Sequence, residues 1–118
     1  MEEKVNIIIP AIELNDELLK CLREINKINY SNFFVTIILD RDLKNKLLKF
    51  RYKINKLIVG KINMSKKRNI AVKKFQSKYI AFIDSDAYPN KNWLKLGIKY
   101  LKSKWAVLLG GNTNTLVV

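Results

Sequence analysis

The sequence contains no histidine among its 118 residues and a single cysteine, Cys21. Without histidine, a Ser-His-Asp triad, a Cys-His dyad and any zinc site with histidine ligands are excluded. One cysteine cannot form a disulfide within the chain. We expect Cys21 to be a small buried thiol on the apolar side of a helix.

Glycine-rich phosphate-binding motifs are also missing from the sequence. No GxGxxG follows the first apolar run, and no GxxxxGK followed by Ser or Thr occurs, so neither a dinucleotide site of the usual kind nor a P-loop is expected. The apolar runs, such as residues 7–11, fall far short of the ~20 residues that span a bilayer. The N-terminus lacks the basic start and apolar stretch of a secretion signal, and we expect a cytoplasmic protein.

Acidic residues are scarce, since 10 Asp and Glu stand against 23 Lys and Arg and leave a net charge of +13. Such a surface attracts phosphate-rich ligands, nucleic acid or an anionic membrane face. The lysines are scattered over several predicted helices without a dense block, which is typical of solvated helix faces. We expect no specific nucleic acid partner, and peripheral contact with the membrane inner face at most.

Short apolar runs rich in β-branched residues alternate with stretches of helical periodicity. The runs predict strands over residues 5–9, 33–39, 56–59, 79–83 and 105–109. The helix signals are a cap at Asn15 and Asp16, a basic segment over residues 43–52, a cap at Ser65, and Pro89-Asn90. The helix positions predicted to face inward are Leu18, Cys21, Leu22, Ile25, Ile28, Ile70, Ala71, Phe75, Trp93, Leu94, Gly97, Ile98 and Leu101.

This order of elements predicts an α/β fold, a mostly parallel sheet with right-handed crossovers and helices on both faces. No linker or repeat divides the sequence, so we expect one domain over residues 1–118. In such sheets, ligands bind beyond the carboxyl ends of the strands, near the point where the strand order reverses. The residues that directly follow each strand are therefore the candidates for a site.

The strongest local pattern is Asp84-Ser85-Asp86, which follows the apolar run of residues 79–83. Two carboxylates this close disfavour each other's ionisation unless a cation lies between them. Mg²⁺ and Mn²⁺ prefer oxygen ligands and leave coordination positions for phosphate oxygens, which suits release of a nucleoside diphosphate. The alternative is an exposed loop in which Asp86 helps to cap the next helix.

Two further segments could bind the same kind of ligand. Asp40 ends the second predicted strand, where a carboxylate can accept hydrogen bonds from a ribose hydroxyl or a base N–H. Residues 64–69 (MSKKRN) place cations at a helix N-terminus, where the helix dipole disfavours them and backbone N–H groups favour anions. A bound phosphate would explain these cations, and so would surface charge in a lysine-rich chain.

Taken in order, these segments resemble family 2 glycosyltransferases of the GT-A fold, and the likeness covers nearly the whole chain. The matching stretches are residues 5–11 (VNIIIPA), 18–22, 34–40 (FVTIILD), 65–71 (SKKRNIA), 79–86 (YIAFIDSD) with Pro89 and Trp93 after it, and Gly110-Gly111-Asn112. The resemblance implies the nucleotide-sugar-binding half of such an enzyme. Its donor would be a nucleoside diphosphate sugar, with a UDP-sugar favoured, and its acceptor a glycan or lipid-linked sugar.

By this resemblance Pro10, Ala11 and Asp40 contact the base and ribose, and Arg68 lies near the base. Asp84 lies near the ribose or the metal, and Asp86 binds Mn²⁺ or Mg²⁺ beneath the diphosphate. Glu13 stands where the family has an aromatic-Asn pair and is a candidate replacement for a polar nucleotide contact, or else an exposed loop acid.

The sequence departs from the family at two further points. Arg41-Asp42-Leu43 follows Asp40 in place of a second acid and a Gly-Ser turn, which weakens any inference about the base. No Asp, Glu or His follows Asp86, so no catalytic base for an inverting transfer is identified. We therefore expect a half-length donor domain that lacks the acceptor-binding half, and an open sheet edge that favours self-association.

Two other functions remain open at this point. A phosphatase of the haloacid dehalogenase type also carries an Asp-x-Asp motif, but normally after the first strand rather than the fourth. The second is a non-catalytic module that binds nucleic acid or anionic membrane through its basic surface, and its binding would not depend on Mn²⁺ or UDP.

Overall fold

The computed structural model describes residues 2–42, 49–108 and 116–117. Five strands and three helices follow one another along these residues. The strands are β1 (Val5–Pro10), β2 (Phe33–Leu39), β3 (Lys53–Ile58), β4 (Tyr79–Phe82) and β5 (Leu116–Val117), and the helices are α1 (Asp16–Ile25), α2 (Met64–Lys74) and α3 (Trp93–Leu108).

The strands form one parallel sheet in the order β3-β2-β1-β4-β5. The central strand, β1, pairs Val5 with Phe33 of β2 on one side and with Tyr79 of β4 on the other. All six residues of β1 and all seven of β2 are buried, as in a sheet covered on both faces. The expected α/β fold is confirmed.

Alternation along β1 separates the two faces of the core. Ile7 and Ile9 pack on the side of α1 and α3, whose buried residues include Leu22 and Leu94. Ile8 packs on the opposite side against Ala71 of α2. Successive side chains of a strand point to opposite faces, so a continuous isoleucine run supplies both halves of the core.

Helix α1 follows its sequence signals closely. The Asn15 side chain accepts a hydrogen bond from the Leu18 backbone N–H at 3.0 Å, as an N-cap residue does. Asp16 and Glu17 lie in the first turn and Arg23 in the last, in accord with the helix dipole. The helix ends at Ile25, and Ile28 is buried in the segment beyond it.

The largest correction concerns residues 105–109, which the sequence pattern predicted as a strand. Residues 105–108 are the last part of α3, and residue 109 and Gly110-Gly111-Asn112 lie outside the described residues. In the sequence, apolar residues at 94, 98, 101, 105 and 108 recur at helical spacing. The strand prediction is therefore wrong, because this short apolar run is part of a helix. The outermost strand beside β4 is β5.

Other boundaries differ from the prediction. Of the helix expected over residues 43–52, residues 43–48 lie outside the described part, and residues 49–52 are not helical. β3 begins at Lys53, three residues before the predicted start. α2 is capped by Asn63 rather than Ser65, and α3 begins at Trp93 rather than at Pro89-Asn90.

The inward-facing predictions hold for most positions. On α3, Leu94, Ile98 and Leu101 are buried. On α2, Ala71 is buried, but Ile70 is 37% exposed and faces outward. Lys67, one turn before Ala71, faces inward in its place. Among the described residues, no helix is both long and apolar enough to cross a bilayer.

A buried hydrogen-bond chain joins β1 and β2 to the end of α2. The Thr36 hydroxyl donates to Asn6 Oδ1 at 2.8 Å, and Asn6 Nδ2 donates to the Phe75 carbonyl at 2.9 Å. Asn6 and Thr36 are both fully buried. Because buried polar groups require partners, each of these two side chains depends on the other.

We therefore expect Thr36→Val, which keeps the side-chain shape, to lower the free energy of unfolding by about 1–2 kcal/mol, since Asn6 Oδ1 loses its donor. Chemical denaturation measures the change. Ser103→Ala removes an exposed hydroxyl that donates to Tyr100 and is the control, with no comparable loss expected. Equal stability of Thr36→Val and wild type would contradict this account of the core.

Tyr52 gives a second prediction, because its buried hydroxyl donates to the Leu22 carbonyl at 2.6 Å. Burial raises the pKa of Tyr52 above its usual value of 10.0, with a smaller contribution from Cys21. The folded protein thus holds this proton more tightly than the unfolded chain, so stability is lost as pH rises above about 10. Tyr52→Phe should make that alkaline decline shallower, as measured by denaturation from pH 8 to 11. The exposed Tyr100→Phe should leave the decline unchanged, and an unaltered decline in Tyr52→Phe would contradict the assignment.

Candidate functional site

The carboxyl ends of β2, β1 and β4 meet at one edge of the sheet, where the strand order reverses about β1. The segments after them are tied together through the backbone. The Ala11 N–H donates to Ile38 at 2.9 Å, and the Asp40 N–H donates to Ile12 at 2.9 Å. The Ile83 N–H donates to Ile8 at 3.1 Å. This is the place where open parallel sheets bind ligands.

Lys67 is the central charged residue of this edge and is 2% exposed. Its ammonium donates to the Ala11 carbonyl at 2.8 Å and forms an ion pair with Asp40 Oδ1. A charge this deeply buried has to be paired, and here the carboxylate after β2 and the carbonyl after β1 supply the partners. Lys67 therefore joins the ends of two neighbouring strands.

The start of α2 is what brings Lys67 to this position. Because α2 follows β3 in a parallel sheet, its first turn lies at the carboxyl edge. The Asn63 side chain accepts from the Lys66 backbone N–H at 2.9 Å and so fixes where the helix begins. Lys67 then lies one turn before the buried Ala71 and on the same face.

Arg68, the next residue of α2, reaches the third strand end. Its Nη2 lies 3.5 Å from Asp84 Oδ1, and its guanidinium lies over the Phe82 ring at 5.6 Å. The Arg68 Nε is buried and has no hydrogen-bond partner among the described residues. Since a buried donor without an acceptor is unfavourable, this nitrogen is suited to a ligand oxygen.

Asp84 and Asp86 lie in a turn after β4, closed by a hydrogen bond from the Ala87 N–H to the Asp84 carbonyl at 3.0 Å. Both residues are exposed, and the Asp84 side chain is 68% accessible. The buried Cys21 thiol lies beneath them, with Sγ 3.9 Å from the Asp84 carbonyl oxygen. Their carboxylates therefore point into solvent from one turn.

The chemistry of this turn fits a hard divalent cation in part. Burial, and secondarily the charge of Asp86, raise the pKa of Cys21 to about 12, so the nearby sulfur stays a neutral thiol and only oxygens remain as donors. Among the described residues, no group of three or more His, Cys, Asp or Glu is placed to hold a metal ion. Asp84 and Asp86 could bind Mg²⁺ or Mn²⁺ only together with oxygens from a ligand or water.

The loop after β1 contributes the remaining candidates. Pro10 is buried at the end of β1, and Ala11 is 6% exposed. The Glu13 carboxylate pairs with Arg41 Nη2 at 2.8 Å, and this contact raises the pKa of the exposed Arg41. Glu13 thus ties the loop after β1 to the loop after β2.

Of the candidates taken from the sequence, the structure brings Ala11, Asp40, Arg68 and Asp84 together through the start of α2. Asp86 lies two residues further along the same turn, and Glu13 is engaged by Arg41. Lys67 lies in the cationic segment 64–69 that the sequence indicated, but the sequence did not distinguish it from its neighbours. Its position four residues before Ala71, an inward-facing residue of the predicted helix, was the signal that could have identified it.

A groove lies at the opposite end of the strands, on the side of their amino ends. It has a volume of about 580 Å³ and is lined by residues that precede β1 and by one side of α3, among them Glu2, Glu3, Tyr30, Leu96 and Lys99. It is remote from the carboxyl ends of the strands. The candidate residues above do not contribute to it.

Comparison with solved structures supports the fold. The crystal structure of S. aureus TarS 1-349 superposes with a TM-score of 0.69 at 23% identity, covering 86% of this chain and 33% of TarS 1-349. The structure of TarS 1-349 in complex with UDP-GlcNAc gives a TM-score of 0.70 over 86% of this chain and 32% of that one.

Sequence comparison supports the family. An uncharacterized glycosyltransferase from Rickettsia bellii (strain RML369-C) is 30% identical over 106 residues, which are 86% of this chain and 15% of the relative. The chain thus spans a small part of the length of these relatives. Residues 6–115 match the family description Glycosyl transferase family 2, and we conclude that this chain belongs to glycosyl transferase family 2.

Proposed function

We propose that the carboxyl edge of this sheet binds the nucleoside diphosphate of a sugar donor, a UDP-sugar in particular, together with a divalent cation. The observation that carries the proposal is the start of α2, where Lys67 is paired with Asp40 and Arg68 with Asp84. One helix end thereby links the segments after β1, β2 and β4 into a single polar surface.

The two ends of this surface suit the two ends of a nucleotide. Ala11 and Asp40 offer oxygen acceptors in a mostly buried setting, which suits a base or ribose. Arg68 lies between this end and Asp84, with a free Nε that suits a ribose or phosphate oxygen. Crystal structures of the related TarS 1-349 were determined in complex with UDP-GlcNAc and with UDP, which supports a uridine nucleotide here.

Asp86 and Asp84 are the residues proposed to hold Mn²⁺ or Mg²⁺. Both carboxylates are exposed, and Arg68 reaches only Asp84, at 3.5 Å. A cation bound there neutralises negative charge that develops on the departing diphosphate. The carboxylates of this chain fix the cation's position, while Arg68 orients Asp84 and limits its motion.

Transfer to an acceptor hydroxyl, with inversion at the anomeric carbon, requires a base that accepts the hydroxyl proton. Residues 87–118 contain no Asp, Glu or His. We therefore assign this chain to donor binding and propose none of residues 87–118 as the base; the proposed acceptor is a glycan or a lipid-linked sugar. The phosphatase alternative has no support once the chain is placed in a transferase family.

The proposed setting is the cytoplasmic face of a membrane. Net charge of +13 favours anionic surfaces, and α3 exposes Lys95, Lys99 and Lys102 beside Leu96 and Tyr100, both 60% exposed. Peripheral membrane contact through this face of α3 would leave the carboxyl edge of the sheet accessible to a ligand. The outer edge of β3 could in addition pair with a second copy of the chain.

Calorimetric titration with UDP tests the donor site. We expect Mn²⁺ to tighten UDP binding at least about tenfold, equivalent to ~1.4 kcal/mol, and Asp86→Ala to abolish that metal effect while UDP alone binds as in wild type. Glu24→Ala is the matched control, because Glu24 lies at the far end of α1 in a surface ion pair with Lys27.

Two results would overturn the proposal. One is the absence of UDP, GDP and dTDP binding with Mn²⁺ present. The other is an Asp86→Ala variant that retains the full metal effect.

A further inference from the structure

We propose that the side of the molecule covered by α2, next to the edge strand β3, is a docking surface for an acidic polypeptide segment that carries an apolar anchoring side chain. The surface is separate from the carboxyl edge of the sheet, so the inference goes beyond the proposed function. It begins from the place where the chain keeps its positive charge.

The excess positive charge is confined to one continuous segment of the sequence. Residues 43–83 contain 13 Lys and Arg and no Asp or Glu, whereas the rest of the chain holds 10 residues of each sign. This segment therefore accounts for the whole net charge of +13. Its described residues form β3, α2 and β4, so the fold gathers on one side charge that looks scattered along the sequence. Such an asymmetry attracts anionic partners.

Five lysines on the α2 side of the sheet, here called the basic face, are exposed. They are Lys4, Lys53, Lys66, Lys73 and Lys74. None of them forms an ion pair with another described residue. On the α1 and α3 side, in contrast, Lys27 pairs with Glu24 and Lys102 with Glu3. The chain thus neutralises part of the charge on one side and leaves the basic face for a partner.

Helix α2 brings part of the basic face next to β3. Lys67 turns from α2 toward Asp40, which follows β2, and thereby marks the side of the helix that faces β2 and β3. Lys74 lies about two turns further along that same side. Ile70 lies between them and is 37% exposed. This side of α2 therefore offers a cation and an exposed apolar side chain beside the edge strand.

A pocket continues this surface at the end of α2. It has a volume of about 340 Å³, and its walls include Lys4, Phe34, Lys53, Asn55, Phe75 and Gln76. Lys4 Nζ lies 5.4 Å from the centroid of the Phe34 ring. The Phe75 carbonyl accepts a hydrogen bond from the buried Asn6, which ties this wall to the sheet. No acidic residue is among the described residues that line the pocket.

This lining favours a polypeptide over other anions. An apolar side chain can lie against Phe34 and Phe75 while neighbouring carboxylates meet the lysines. The amides of Asn55 and Gln76 can each donate to and accept from a peptide backbone. Single-stranded nucleic acid requires aromatic faces that are open for stacking, but Phe34 is only 9% exposed. A bilayer is contacted by apolar side chains that protrude, whereas this site is recessed.

The edge of the sheet supplies a way to bind the backbone of such a segment. β3 is an outer strand, and no described residue pairs with its outer edge. An extended peptide can add to an edge of this kind through main-chain hydrogen bonds. Lys53 and Asn55 project from β3 to the α2 side, where they line the pocket. A strand added at this edge would run past the basic face and the pocket together.

Fluorescence anisotropy with a labelled peptide, made of glutamates around one central phenylalanine, tests the surface on the ligand side. We expect wild type to bind this peptide and to bind it more weakly as salt concentration rises. Replacing the glutamates with glutamine should weaken binding at least about tenfold. Replacing the phenylalanine with serine should weaken it at least about fivefold, because the pocket loses its apolar anchor.

Paired variants test the surface on the protein side. Lys53→Gln combined with Lys74→Gln should weaken binding of the phenylalanine peptide at least about fivefold, as expected for the loss of two exposed charge contacts. Lys95→Gln combined with Lys99→Gln removes the same charge from exposed positions on α3 and should change the affinity less than about twofold. Thermal denaturation of both variants checks that the fold is retained.

Several outcomes would overturn the proposal. The acidic peptide fails to bind, or the two paired variants weaken it equally, as attraction by net charge alone predicts. The serine peptide binds as well as the phenylalanine peptide, which leaves the pocket without a role. Vesicles containing phosphatidylglycerol, or a DNA duplex, bind through Lys53 and Lys74 when the peptide does not. A dimer in analytical ultracentrifugation that excludes the peptide assigns the edge of β3 to a second copy of the chain.

Discussion

The parallel pairing of β1 with β2 on one side and with β4 on the other is the constraint on which the rest of this structure depends. Helices α1 and α3 cover one face of the sheet and α2 covers the other, so β1 is buried along its whole length. The same pairing brings the segments after three strands to one edge. Burial of apolar surface thus stabilises the fold and also places the polar residues that form the candidate site.

The charges at this edge are compensated unequally, and the inequality divides the site into two parts. Lys67 and Asp40 form a mostly buried ion pair, with side chains 3% and 18% exposed, so little solvent screens their attraction. Asp84 and Asp86 are exposed, and the contact of Asp84 with Arg68 is a partly solvated one of modest strength. A mostly buried part of the site therefore adjoins an exposed, hydrated part, and we propose that the first binds the base and the second the cation and phosphates.

The chain belongs to glycosyl transferase family 2, and the two parts of the site match the two ends of the sugar donor that we propose it binds. A sugar donor has an aromatic, hydrogen-bonding end and a highly charged diphosphate, and each end requires a different dielectric surrounding. Next to Asp40, the ion pair between Glu13 and Arg41 connects the loops after β1 and β2. The neutral Cys21 thiol beneath Asp84 supports the other end without adding a charge.

The sequence by itself determined the α/β class, the first two strands and the strand that ends before Asp84, because period and β-branched composition are local properties. It also placed Asp40 and Asp84 at strand ends. It mistook residues 105–108 for a strand, since a short apolar run does not reveal its period. Only the tertiary structure decided that Lys67 turns inward to Asp40, because the partners of a buried charge come from strands distant in sequence.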